Sequence, residues 1–191
     1  MSRHHPIKLT VNPEDQETWA RALSRFRAEK DEFFRTSHGS PLHHGEADSF
    51  KGLKYFDPDP VLRVEVKLQR YATPEAVVVA TSKGTRQLFN RVGYFDLTMG
   101  GTPVRIQAYQ SAERDDPQLF IPFRDSTSGK ESYGAARYLD LEVEHDDEYA
   151  LDFNYAYNPY CAYSDSWTCP LPPPENWLKV PIPAGEKKYH D

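Results

Sequence analysis

Residues 152–186 read DFNYAYNPYCAYSDSWTCPLPPPENWLKVPIPAGE. The stretch holds both cysteines, two of the three tryptophans and seven of the sixteen prolines. No regular helix or sheet strand tolerates that density of proline, which lacks a backbone N–H. The stretch predicts a short strand, then a stiff aromatic strap wrapped over the domain, then a closing strand at Leu178–Ile182. Pro170-Leu171-Pro172-Pro173-Pro174 favours polyproline II. Trp167 and Trp177 bracket it, and the expectation is that both pin it to the core.

Upstream, the hydrophobic period is two. Leu62, Val64, Val66 and Leu68 alternate with charged and polar residues, the mark of a half-buried antiparallel strand. Ala76–Thr81, Arg86–Leu97, Val104–Ala108, Leu119–Phe123, Arg137–Val143 and Tyr149–Tyr155 continue the pattern. The phase slips near Gly93, which predicts a bulge. Gly100-Gly101 predicts a hairpin turn. The fold class expected is mainly β, an antiparallel barrel or sandwich of about eight strands. An N-terminal amphipathic helix over 12–37 caps it. Asn12-Pro13 starts that helix, and Trp19, Leu23, Phe26, Phe33 and Phe34 form its apolar stripe. Arg21, Arg25, Arg27, Glu29, Lys30, Asp31 and Glu32 fall on the solvent side. The organisation expected is one domain over 1–191, with an arm at 1–11, strands over 61–155 and the strap over 156–191.

Composition bounds the function. The formal net charge is −6 and the sequence pI about 5.6, which argues against a nucleic-acid footprint. No apolar run approaches the roughly 18 residues of a membrane helix. The N-terminus lacks a signal-peptide core. A cytoplasmic protein is therefore expected, with reduced thiols and a homodimer as its assembly.

The candidate chemistry lies in three places. Arg124–Gly134 contains Gly129-Lys130 but lacks the glycine and the Ser/Thr of a phosphate loop. It reads instead as a turn in which Asp125 and hydroxyls bond nearby amides. Arg137 shares its strand phase with Leu139, Leu141 and Val143, so its permanent charge needs buried acceptors. Asp152 and Asn154 share a face that is either interior or solvent-exposed. Cys161 and Cys169 have C-x7-C spacing, which is neither a redox nor a zinc signature. Reduced structural thiols, a disulfide and half of a zinc site all remain open. His38, His43 and His44 fall in one loop without metal-ligand spacing, and no metal or cofactor is assigned.

Three motifs carry a resemblance. They are Asp125-x-Thr127-Ser128-Gly129-Lys130-Glu131 running on through Tyr133-Gly134-Ala135-x-Arg137-Tyr138-Leu139, then Asp152-Phe153-Asn154-x-Ala156-Tyr157-Asn158-Pro159-Tyr160-Cys161, and Cys169-Pro170-Leu171-Pro172-Pro173-Pro174-Glu175-Asn176. The chain resembles the bacterial and archaeal family called domain of unknown function 1684. Trp177 stands where that pattern has an arginine. The resemblance directs attention to these residues without implying a reaction.

The functional expectation is a small-molecule-binding β-barrel. Arg137 pairs with a ligand anion or with Asp152. Tyr133, Asn154, Tyr157 and Asn158 orient the ligand. Lys130, Tyr160, Glu175 and Asn176 complete the pocket beneath the strap. The competing reading is a hydrolase-like enzyme using Asp140, Asp152 or Glu175 as acid or base, or Cys161 as nucleophile. A third is an interaction scaffold presenting the proline strap.

Overall fold

The computed structural model describes residues 13–43, 45–113 and 118–190. The N-terminal arm and His44 lie outside the described residues. One α-helix, α1 (Pro13–Thr36), precedes β1 (Arg63–Lys67), β2 (Gln69–Ala80), β3 (Arg86–Met99) and β4 (Thr102–Ser111). The strands β5 (Leu119–Phe123), β6 (Arg137–Leu141) and β7 (Glu148–Asp152) follow. Each of these strands pairs antiparallel. The order β2-β3-β4-β5-β6 makes one sheet, and β1 with β7 makes a two-stranded ribbon. No described helix is long and apolar enough to cross a membrane.

The closed barrel allowed by the alternation is not found among the described residues. No ladder joins β2 to β6, so both remain edges. They meet the strap instead. Thr81, just past β2, bridges Pro170, and the Leu171 amide donates to the Ala80 carbonyl at 2.8 Å. On the other edge the Tyr138 hydroxyl of β6 donates to the Pro170 carbonyl. The sheet therefore curls until both edges reach one residue. Prolines then stop the strap from laddering, because each removes a donor.

Glycine sets the curvature. The β2–β3 and β3–β4 registers both shift next to Arg91. A Cβ added at Gly93 would lie 2.6 Å from the Gln69 carbonyl and 3.1 Å from the Arg70 Cα. The bulge thus lets β2 cross β3 at a distance only glycine permits. Gly100 and Gly101 both have positive φ, 55° and 83°, and link Met99 to Thr102 in a two-residue hairpin.

Inward residues of the sheet, among them Phe95, Ile106, Leu119, Ile121 and Phe123, form the core with Leu151 and Phe153. The last apolar segment also enters it. Leu178, Val180, Ile182 and Ala184 are all buried. This segment keeps a strand's alternation but bends at Lys179–Val180 and pairs only through an isolated parallel bridge of Trp177 with Arg124; beyond it Pro181 and Pro183 interrupt its donors. β7 also stops earlier than expected. The Asp152 side chain accepts from the Asn154 amide and turns the chain into a 3-10 turn, Phe153–Tyr155.

The helix docks by a different face from the one its apolar residues suggest. Leu23 and Phe34 are buried, but Phe26 and Phe33 are exposed. Between Leu23 and Phe34 the inward line passes through Arg27 and Lys30, at steps of four, three and four. Arg27 donates to the Phe56 carbonyl at 3.1 Å and lies 4.4 Å from the Tyr55 ring centre. Lys30 pairs with Glu186, and Asp31 accepts from the Leu53 amide at 2.9 Å. Nor are the tryptophans buried pins, since Trp167 and Trp177 are 40% and 44% exposed.

Gly93→Ala is expected to destabilise the protein by about 1–3 kcal/mol, the usual cost of overpacking. Gly39→Ala, where φ is not positive and the added Cβ meets neighbours only at an ordinary 3.6 Å, serves as the comparison. Urea denaturation of both variants measures the difference, and equal midpoints would remove the crossing constraint.

Candidate functional site

Arg137 is fully buried, with 0% exposure. Its Nη2 donates to the Ile182 carbonyl at 2.8 Å and to Asp125 Oδ1 at 3.2 Å. Its Nη1 donates to the carbonyls of Ala184 and Glu186. The guanidinium lies between the rings of Phe123 and Phe56, at 5.2 and 5.8 Å. Burial pushes its pKa down from the ordinary arginine value, opposed by the Asp125 charge. The buried acceptors the sequence demanded are thus the tail carbonyls and Asp125, not Asp152. Asp125 also accepts from the Ile182 amide at 2.6 Å and from the Thr127 hydroxyl. The Asp125–Ser128 turn bonds its own amides as expected, and its charge fastens the tail.

A second buried centre surrounds Glu186, which is 1% exposed. Its carboxylate accepts from Lys30 Nζ, from the Asn158 amide at 2.8 Å and from the Tyr163 hydroxyl. Burial first, then the Glu186 charge, raises the Tyr163 pKa well above the ordinary tyrosine value. Lys30 Nζ also lies 4.9 Å from the Tyr157 ring centre. The Asn158 side chain donates to the Lys187 carbonyl at 2.8 Å. Glu186 carries no pattern in the sequence that singles it out. Lys30 does: it falls on the line from Leu23 to Phe34 and could have been found by following the helix phase instead of the side-chain chemistry.

The remaining nominated residues separate. Asn176 is buried between β4 and β5, where its amide donates to the Gln107 and Pro122 carbonyls and its oxygen accepts from the Gln107 amide. Glu175 accepts from the Tyr109 hydroxyl and pairs with Arg91 at 3.2 Å. Lys130 is exposed in its turn. Tyr160 packs edge-on against Trp167 at 4.9 Å. Asn154 exchanges two hydrogen bonds with the backbone of Asp59, both at 2.8 Å. Of the expected patch of Arg137, Asp152 and Asn154, only the last two meet: the Asn154 side-chain amide donates to Asp152 Oδ1 at 2.8 Å, while Arg137 has Asp125 and the tail carbonyls as its partners.

Asp152 and Tyr157 do share a concavity. A cavity of about 490 Å³ lies beneath α1. Trp19 and Phe26 wall it on the helix side, and Leu139, Asp140 and Leu141 of β6 on the sheet side. Arg63, Ala150, Asp152, Tyr155 and Tyr157 complete it. Trp19 Nε1 donates to Asp152 Oδ2 at 2.6 Å, and Phe26 meets Tyr155 edge-on at 4.9 Å. The Tyr157 hydroxyl donates to Asp140. Burial first, then the Asp140 charge, raises the Tyr157 pKa beyond the ordinary range. Tyr157 and Asp140 also line a second hollow of about 490 Å³ on the strap side, bounded by Tyr138, Thr168 and Pro170.

The two cysteines are free thiols. The Cys161 amide donates to Cys169 Sγ at 3.4 Å, and the Tyr133 hydroxyl lies 3.7 Å from Cys161 Sγ. No cluster of three or more metal-ligating side chains occurs among the described residues.

Two antiparallel sheets, one docked helix and a polar-fastened tail define the class: a mainly β protein with an aromatic cavity under its helix. The chain belongs to the family described as Protein of unknown function (DUF1684), which matches residues 48–187. Among solved structures it is similar to the solution NMR structure of an uncharacterized protein from Haloarcula marismortui. The two are 42% identical over 92% of this chain and 97% of that one, with a TM-score of 0.71. No curated protein matches the chain.

Arg137→Ala is expected to cost about 3–5 kcal/mol, since it leaves Asp125 buried and unpaired. Arg137→Lys recovers only part of that, because one ammonium cannot span three carbonyls and a carboxylate. Chemical denaturation reads both, and a loss below about 1 kcal/mol for the alanine variant would contradict the fastening role.

Proposed function

We propose that the protein binds a small amphipathic molecule in the cavity between α1 and β6. The observation that carries this is the cavity of about 490 Å³, within the range of roughly 300–1,000 Å³ found for ligand sites. Its chemistry is two-sided. Trp19, Phe26, Tyr155 and Leu139 offer flat apolar surface, while Arg63, Asp140 and Asp152 offer charge. A ligand ring would lie against the first group with its polar end towards the second. Asp152 and Tyr157 are the motif residues that support this placement. Their hydrogen bonds to Trp19 and Asp140 fix the wall before a ligand arrives, which lowers the ordering cost of binding.

Anilinonaphthalene sulfonate, an aromatic anion, is the probe. Saturable fluorescence enhancement at one site is expected. Ala150→Phe places a ring in the cavity and is expected to abolish the signal while the circular dichroism spectrum is unchanged. Equal binding by the folded variant, or a signal that never saturates, would overturn the assignment.

A further inference from the structure

A separate cluster lies where the strap begins, and nothing in the ligand cavity uses it. We propose that Cys161 and Cys169 form a dithiol site that exchanges with small-molecule disulfides, Cys161 attacking first and Cys169 resolving.

The geometry brings the sulfurs together despite the long spacing. The 3-10 turn Tyr160–Ala162 starts the excursion, and the strap ends it at Cys169. The Cys161 amide already touches Cys169 Sγ at 3.4 Å. Cys161 Sγ stands three covalent bonds from that amide nitrogen. Rotation about its Cα–Cβ bond is the motion that closing the pair to the disulfide length of about 2.05 Å requires. Cys169 is in turn held in place. Its amide donates to Ser82 Oγ at 3.1 Å, and its carbonyl accepts from the Ser82 amide at 2.8 Å.

The pair is asymmetric in the way that exchange requires. Cys161 is half-buried and reachable, whereas Cys169 is only 7% exposed. The hydrogen bond from the Cys169 thiol lowers the Cys161 pKa to about 6, with the Tyr133 and Ser82 hydroxyls adding to it and burial opposing. The same hydrogen bond and burial raise the Cys169 thiol. The other titratable groups near the pair are Tyr133, Tyr138 and Asp165. Burial holds both tyrosines above the ordinary range; the neutral Tyr133 hydroxyl faces Cys161 Sγ at 3.7 Å, while the Tyr138 hydroxyl donates to the Pro170 carbonyl. A thiolate on Cys161 is thus met by donors, the condition for a reactive cysteine.

The chemistry balances in two steps. The Cys161 thiolate attacks one sulfur of a disulfide RSSR. That S–S bond breaks, a mixed disulfide forms on Cys161, and RS⁻ leaves. Cys169 then loses its proton and attacks the Cys161 sulfur. The internal disulfide forms and the second RS⁻ departs. Two electrons pass from the dithiol to RSSR, and the two thiol protons end on two molecules of RSH. The product ties the strap to the turn at Tyr160–Ala162.

Oxidised glutathione and the full chain test this, read by intact mass. The wild-type protein is expected to lose two hydrogens and keep no adduct. Cys169→Ser is expected to retain one glutathione, and Cys161→Ser to retain none. Iodoacetamide alkylation of the wild-type protein, mapped by fragmentation, is expected at Cys161 with a midpoint near pH 6. At that pH it should be roughly tenfold faster than an ordinary thiol of pKa about 8.5, after allowing for the lower nucleophilicity of a weaker base. A wild-type protein that keeps the adduct, or an alkylation midpoint near pH 8.5, overturns the proposal. These two readouts stand even where a serine variant fails to fold.

Discussion

The Arg137 guanidinium holds the last apolar segment of the chain in place, and the rest of the architecture follows from that arrangement. Residues 178–184 fill the core with Leu178, Val180, Ile182 and Ala184. Pro181 and Pro183 deny this segment a ladder, yet its carbonyls still need donors once buried. Arg137 meets those of Ile182, Ala184 and Glu186. Asp125 meets the Ile182 amide that lies between the prolines. One ion pair thus replaces a strand neighbour. A buried ion pair is costly to desolvate and holds only when most of its remaining hydrogen bonds are made; here the tail carbonyls and the Thr127 hydroxyl make them, and Arg137 Nε alone of the guanidinium nitrogens has no partner among the described residues.

The same substitution of side chain for backbone recurs. β4 and β5 share a single register pair, Tyr109 with Phe120. Beyond it Asn176 enters the gap, taking the Gln107 amide and giving to the Gln107 and Pro122 carbonyls. Asn154 does this for Asp59, and Asn158 for Lys187. Amide side chains suit the task because each carries a donor and an acceptor in peptide-like geometry. The polar residues of the motifs that look most like a binding site are therefore largely internal fasteners, and the concavity lies under the helix instead.

This explains which parts of the molecule were legible in the sequence. The sheet was legible because alternation is local: β1, β3 and β4, the bulge at Gly93 and the Gly100-Gly101 hairpin all appear where period and turn chemistry place them. Sheet closure was not legible, since it depends on where the strap crosses the edges. The tail's alternation was visible at Leu178–Ile182, but alternation cannot reveal that the neighbour is a guanidinium. On α1 the chemistry of Arg27 and Lys30 masked their phase. Long cations reach buried acceptors while their stems pack, so the docking line runs through them. Trp167 and Trp177 err the other way, large rings left near water because the strap is secured by Asn176 and Pro170. At the candidate site, Asp152 and Tyr157 were legible within a motif, whereas Trp19, Phe26 and Arg63 come from segments that only tertiary packing brings to the same cavity.

The strap also joins the cysteine pair to the cavity under α1. Cys169 precedes Pro170, whose carbonyl accepts from Tyr138. Tyr138 pairs with Tyr157 through mutual backbone hydrogen bonds and an edge-on ring contact at 5.6 Å. Tyr157 reaches Asp140 at the cavity wall. Contiguity of this kind is not coupling by itself, since coupling requires an element with two arrangements that both sites bias. The strap meets the first condition better than the sheet does. Its hold on β2 and β6 near Pro170 rests on a few hydrogen bonds, while β3 and β4 are joined by a ladder running from Phe89–Ser111 to Met99–Thr102. Any rearrangement that begins at the thiols therefore has its least resistant path along the strap towards Tyr138 of β6, the edge strand whose Leu139 and Asp140 wall the cavity.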